Sequence, residues 1–247
     1  MASTSETGHV KNVANFDKLL STITGFGTAF NPSRPSIKLP ALITHSTNAK
    51  NALMAVNAAL PAYSNAVAAR KVAFAPLSKL ATRVLNSIKA TDTTKEVDNH
   101  AKSLVREIQG KRATPKKTDA EKEAAKAEGK EIKEISDSQM SYDYRLDNFD
   151  KLIKLLASIP LYAPNEVELK VITLTALYND LKSKNAAVIA ANTPLSNARI
   201  ARNTILYKEI TGLVDIALDA KTYIKSLYGA SSPQYKQISK LAFRVIA

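Results

Sequence analysis

The chain has 247 residues, with 35 Lys and Arg against 22 Asp and Glu for a formal net charge of +13, and it contains no Cys and no Trp. The missing cysteines exclude a disulfide-stapled scaffold, a thiolate zinc site, an iron–sulfur centre and a cysteine nucleophile. Three histidines, His9, His45 and His100, leave little material for a metal centre or a His-based catalytic network, and 45% apolar residues are enough to fill a core.

In chain order, Met1 to His9 is small and polar, with no apolar run behind a basic start, so no secretory signal is expected there. Residues 1–14 read as a disordered tail. A first helix is expected from near Asn15, whose side chain suits an N-cap, to the glycines Gly25 and Gly27. A long helix follows from about Ser36 to Val72, roughly 55 Å at about 1.5 Å per residue. Its apolar stripe runs through Leu42, His45, Ala49, Ala52, Val56, Ala59, Tyr63, Ala66, Arg70 and Ala73. Pro61 lies inside it, and a kink or break is expected there. Two shorter helices carry Leu77, Leu80, Ala81, Val84, Leu85 and Ile88, then Val97, Ala101, Leu104, Val105 and Ile108.

Residues 111–145 have a different composition, rich in Ala, Glu and Lys, with no apolar residue larger than Ala from Lys116 to Lys130. Such a segment cannot bury a face and reads as a charged linker, a solvated helix or a mixture of the two. Glu123 with Lys126 and Lys130 with Glu134 have helical spacing and would add only tenths of a kcal/mol each, on the order of 0.2–0.5. Beyond it, a helix is expected from near Asp147 to Pro160. A second long helix follows, with the stripe Leu174, Leu177, Leu181, Lys184, Val188, Ala191, Leu195, Ala198, Arg202 and Ile205, and it contains Pro194. Leu213, Ile216, Ala217, Ala220, Ile224 and Leu227 make the next face. After the turn Gly229-Ala230-Ser231-Ser232-Pro233, a last helix carries Tyr235, Ile238, Leu241 and Phe243.

The halves share motifs in one order. Asn15-Phe16-Asp17-Lys18-Leu19-Leu20 returns as Asn148-Phe149-Asp150-Lys151-Leu152-Ile153, 133 residues on. Phe30-Asn31-Pro32 returns as Tyr162-Ala163-Pro164, and Ser64-Asn65-Ala66 with Ala69-Arg70 returns as Ser196-Asn197-Ala198 with Ala201-Arg202, both 132 residues on. This spacing points to a duplication. The expectation is an all-α protein of two pseudo-symmetric four-helix units, residues 15–110 and 146–247, each with one long kinked helix, in an elongated antiparallel bundle. With its Asn-Phe-Asp-Lys-Leu and Ser-Asn-Ala-x-x-Ala-Arg segments the chain resembles an uncharacterised family of bacterial duplicated helical proteins. That resemblance implies no activity, cofactor or catalytic residue.

Residues 1–110 carry +7, 111–145 carry +1 and 146–247 carry +5, so the excess charge belongs to the helical halves. Basic folded surfaces attract polyanions, though the lysines are scattered and no nucleic-acid motif occurs. Candidate polyanion or partner contacts are Arg70, Arg202, Lys71, Lys79, Arg83, Lys236, Lys240 and Arg244. Arg70 and Arg202 interrupt apolar stripes at matching positions. Each is expected to pair internally, with Asp17 and Asp150 as candidate carboxylates, or to reach water along its own stem. The competing reading is an anion pocket. His45 is expected to be buried and hydrogen-bonded. Gly25-Phe26-Gly27 is too short for a phosphate loop, and no Gly-x-Ser-x-Gly, His-Glu-x-x-His or EF-hand pattern occurs.

No catalytic, metal or cofactor site is therefore expected, nor a small-molecule substrate. No stretch approaches 18 consecutive apolar residues, so no membrane insertion is expected, and the expected location is the cytoplasm. The leading reading is a non-enzymatic structural or scaffold protein working through self-association or protein partners. The alternative is a basic protein that binds RNA or DNA, or associates with ribosomes, through helical faces.

Overall fold

The computed structural model describes residues 7–111, 118–127 and 141–246. Residues 1–6 of the expected tail lie outside the described residues, as do 112–117 and 128–140 of the expected linker with its Lys130–Glu134 pair. Among the described residues there are nine α-helices and no strand: α1 Thr7–Gly25, α2 Leu39–Phe74, α3 Leu77–Lys89, α4 Lys95–Ile108, α5 Asp119–Ala127, α6 Tyr142–Ala157, α7 Val171–Tyr207, α8 Leu213–Tyr228 and α9 Pro233–Ser239. Short 3-10 helices at Pro35–Ile37 and Val167–Leu169 precede the two long helices. The all-α expectation holds, as sparse Gly and Pro and frequent Ala, Leu and Lys require.

The chain divides into two compact units, one of Met1–Ser64 with Ala191–Ala247 and the other of Asn65–Ala190. In the first, α1 packs on α8 and α9, and the 3-10 helix Pro35–Ile37 packs on α8. Its core holds Phe16, Leu19, Ile23, Leu42, Leu213 and Ile224. In the second, α4 packs on α3 and α6, and Val167–Leu169 packs on α3, around Phe74, Leu77, Ile88, Phe149, Leu152 and Leu174. Each unit thus joins the leading helix of one sequence half to closing helices of the other.

All twenty stripe positions on α2 and α7 are buried or half-buried, from Leu42, Leu174, Leu181 and Leu195 in full to His45 and Lys184 in part. A three-four spacing of apolar and small side chains therefore marks the packed face even where Ala replaces Leu. Pro61 and Pro194 lie within unbroken helices, so the expected break does not occur. Proline removes one ladder bond, and the intact turns on either side of it carry the helix through.

The helix starts differ from expectation. α1 begins at Thr7, so residues 7–14 of the expected tail are helical, with His9, Asn12 and Val13 buried. α6 begins at Tyr142, so residues 142–145 of the expected linker are helical too, and Arg145 is buried. The reason is that Asn15 is an interior side chain rather than a cap, and Asp147 lies exposed within α6, where it pairs with Lys151 at 2.6 Å. Asn15 donates Nδ2 to the Ala242 carbonyl at 2.8 Å, and Asn148 donates to the Tyr144 carbonyl at 3.0 Å. The cap of α6 is Ser141, whose hydroxyl accepts from the Tyr144 amide at 3.2 Å. At the other end, α9 stops at Ser239, so Leu241 and Phe243 pack from a non-helical segment. Leu227 is exposed rather than part of the α8 face.

Candidate interaction sites

Arg70, near the end of α2, is half-buried and spends its charge inside the second unit. Its Nη1 donates to Asn185 Oδ1 at 2.8 Å, its Cζ lies 3.9 Å from the centroid of the Tyr142 ring, and its Nε is buried without a partner. Asn185 passes the polarisation on, donating Nδ2 to Asp143 Oδ1 at 2.6 Å. A guanidinium on an apolar stripe is thus held by an aromatic face and an amide backed by a carboxylate, with one N–H left over. The expected carboxylates are engaged elsewhere. Asp17 accepts from Ser46 at 2.6 Å and pairs with Lys50 at 2.9 Å, and Asp150 pairs with Lys154 at 2.6 Å. Arg202 is 4% exposed and donates Nε and Nη2 to Asn203 Oδ1 at 3.1 and 2.8 Å.

Ring pairs are found in both units. In the second unit Phe74 and Tyr142 meet edge to face at 4.8 Å, and the Arg145 guanidinium lies 5.5 Å from the Phe74 centroid. Arg145 also donates Nε to the Ile108 carbonyl at 3.0 Å and Nη2 to Ser78 Oγ at 3.4 Å, and burial pushes its pKa down. In the first unit the His9 and Tyr207 rings lie 5.6 Å apart. The Tyr207 hydroxyl bonds His9 Nδ1 at 2.7 Å and accepts from Asn12 Nδ2 at 3.2 Å. His9 is the buried, bonded histidine. His45, for which that role was expected, is half-buried with no hydrogen bond among the described residues, and desolvation lowers its pKa. The signal missed was the spacing His9, Asn12, Val13, Phe16, a helix face hidden by its two polar members.

The exposed candidates are divided between the two units. Lys71, Lys79 and Arg83 belong to the second unit, where Arg83 pairs with Glu168 at 2.6 Å. Lys236, Lys240 and Arg244 are exposed in the first. Two grooves gather charge that sequence reasoning did not single out. One, about 540 Å³ between α3 and α4, is lined by Lys102, Arg106 and Lys111 with Asn99, Ser103 and Gln109, and no carboxylate lines it. Another, about 360 Å³ between α6 and α7, is lined by Asp143, Asp147 and Asp150, faced by Lys182 and Tyr178. Their i, i+4 spacings were the available signal. Asp147 and Asp150 hold Lys151 and Lys154 and raise the pKa of both lysines through those hydrogen bonds. Among the described residues no group of three or more His, Asp or Glu side chains is placed to hold a metal ion.

Within Leu39–Lys89, one 18-residue window is long and apolar enough to cross a membrane by length and composition, and 11% of it is buried. Compared with protein-family models, curated proteins and solved structures, the chain matches none.

Proposed function

We propose that the protein is a non-enzymatic structural or scaffold protein that works through helical surfaces, in self-association or in a larger assembly. The observation that carries this reading is the surface of α2. From Asn51 to Ala69 the helix has no charged residue, and the apolar window of Leu39–Lys89 is 11% buried. Exposed Ile43 and Met54, three turns apart, stand on one face of this helix. Uncharged helical surface left open to this extent suits contact with another surface. Size-exclusion chromatography with light scattering, read at 260 and 280 nm, tests it. The expected result is a salt-insensitive oligomer free of nucleic acid, shifted toward monomer by Met54→Lys. A monomer at every concentration rejects the reading.

The polyanion reading rests on the groove of Lys102, Arg106 and Lys111. In the same experiment it predicts copurified nucleic acid that is lost in high salt, because each phosphate contact releases counterions.

Duplication also belongs to this reading. It is supported by the motif spacing and by the 3-10 helices Pro35–Ile37 and Val167–Leu169, which start 132 residues apart. Ion pairs supply a further correspondence. Arg34, immediately before the first, pairs with Asp219 of α8 at 2.5 Å, whereas Glu168 within the second pairs with Arg83 of α3. The signs are exchanged between units while the pairing elements correspond.

A further inference from the structure

After α9 ends at Ser239, residues 241–246 run without regular secondary structure along α1, and the contacts that hold them aim at backbone atoms. The Asn12 carboxamide meets the backbone of Arg244 twice, donating Nδ2 to its carbonyl at 2.7 Å and accepting its N–H at 3.1 Å. Asn15, one turn on, donates to the Ala242 carbonyl at 2.8 Å. Helix positions three apart lie about 5–6 Å from each other, and alternate residues of an extended chain lie about 6.5–7 Å apart. The two carboxamides are therefore spaced slightly under the repeat of an extended segment, within the reach of their side chains. From α8, Lys221 donates Nζ to the carbonyls of Ser239 and Leu241 at 3.1 and 2.7 Å.

Side chains alternate from Leu241 to Arg244, after which Val245 is exposed and Ile246 half-buried. Leu241 and Phe243 are half-buried against the core, and Ala242 and Arg244 are exposed. Ile246 lies directly on Gly8, where a Cβ would come within 3.0 Å of its Cδ1. None of these hydrogen bonds uses a side chain of the segment, so the groove recognises its backbone together with the apolar side chains of Leu241, Phe243 and Ile246.

We infer that this face of α1 and α8 is a binding site for an extended peptide, and that its partner in trans is residues 241–246 of a second copy of this chain. The inference rests on the self-association reading and gives it a route. The segment already fits the site in cis, its contacts with α1 and α8 are available in trans, and release after Ser239 gives up the Leu241 N–H bond to the Ile238 carbonyl at 3.0 Å. Exchange of identical elements is a low-cost route to oligomers. A short tether keeps the cis occupant at an effective millimolar concentration, so exchange is favoured where copies are crowded, as in an assembly.

The test uses the full chain as wild type, Arg244→Ala and Arg244→Pro. Proline deletes the N–H that Asn12 accepts, whereas alanine removes only an exposed side chain. A fluorescein-labelled peptide of residues 240–246 is titrated into each and read by anisotropy. Saturable binding to Arg244→Pro is expected, at least tenfold tighter than to wild type or Arg244→Ala, whose groove is filled. A peptide carrying Arg244→Ala should compete equally, and one carrying Arg244→Pro should not. Combining Arg244→Pro with Asn12→Leu, or with Gly8→Val in case the former disturbs the fold, should weaken the peptide at least tenfold. In light scattering, wild type and Arg244→Ala should form an oligomer that Arg244→Pro loses. Absent saturable binding to Arg244→Pro overturns the inference, as does an oligomer unchanged by Arg244→Pro. The second result leaves the scaffold reading standing, whereas a wild type that is monomeric throughout rejects both.

Discussion

The second unit closes with α4, fourteen residues of helix whose last carbonyl, at Ile108, receives the buried Arg145 guanidinium. The first closes with the seven-residue α9 and the non-helical 241–246, where the backbone of Arg244 is received by the carboxamide of Asn12. Arg145 and Asn12 hold the same place, three residues before the Asn-Phe-Asp-Lys-Leu segments. A helix end presents unpaired carbonyls and no free N–H, so it calls for a side chain that only donates. A non-helical segment presents both groups, and a carboxamide answers both. The residue at this position is therefore chosen by the secondary structure of the segment it holds.

The largest way to break this comparison is to empty either core. Phe16→Ala and Phe149→Ala each delete a ring that is at most 1% exposed. Each should cost about 3–5 kcal/mol. Hydrogen exchange should show the loss in amides of α1 and α8 for the first variant, and of α4 and α6 for the second. Equal loss in both sets from one substitution would mean that the units do not open separately. Next in size is Arg145→Met, which keeps the stem but leaves the Ile108 carbonyl unpaired. It should cost about 1–3 kcal/mol in denaturant unfolding, whereas Arg145→Asn should not recover it, because the shorter side chain meets a helix end with nothing to donate back.

These two positions also show what the sequence could reveal. Helix content, the two stripes and the apolar faces of α3, α4 and α8 were legible because each recurs with helical period and needs no knowledge of its partner. Asn15 was misread as a cap because capping and burial favour the same side chain, and only the partner carbonyl separates them. His9, Asn12 and Arg145 were hidden in segments that looked like tail and linker. Their polarity is compensated by Tyr207, Arg244 and Ile108, groups 198, 232 and 37 residues away. Their helical spacing is present, but polar members of a buried face are explained only by such distant partners. The basic and acidic grooves were missed although their charges repeat at i, i+4 on α4 and α6, because the facing walls come from α3 and α7.

Smaller effects are expected from the exchanged ion pairs, whose side chains are 40–66% exposed. Arg83→Glu sets two carboxylates against each other at Glu168 and should lower stability by no more than about 1 kcal/mol. Adding Glu168→Arg should restore it, with the second unit then carrying the sign order of the first. A double variant no better than the single would show that the pair contributes nothing.

The smallest expected effect belongs to His45, the stripe position at which α7 carries Leu177. Desolvation lowers the His45 pKa from its ordinary value near 6.5, so the folded state disfavours the charged imidazole. Above about pH 6.5 the ring is neutral folded or unfolded and contributes no pH dependence. As pH falls, the unfolded chain takes up the proton first and stability declines, until the folded ring also protonates and the decline stops. His45→Leu gives α2 the side chain of its counterpart and should remove this part of the acid-side loss. The check is the difference in thermal midpoint between pH 7 and pH 5 for wild type and variant, which should be smaller in the variant. Equal differences would show that the half-buried ring titrates as it does in water, and that its place on the stripe is set by size alone.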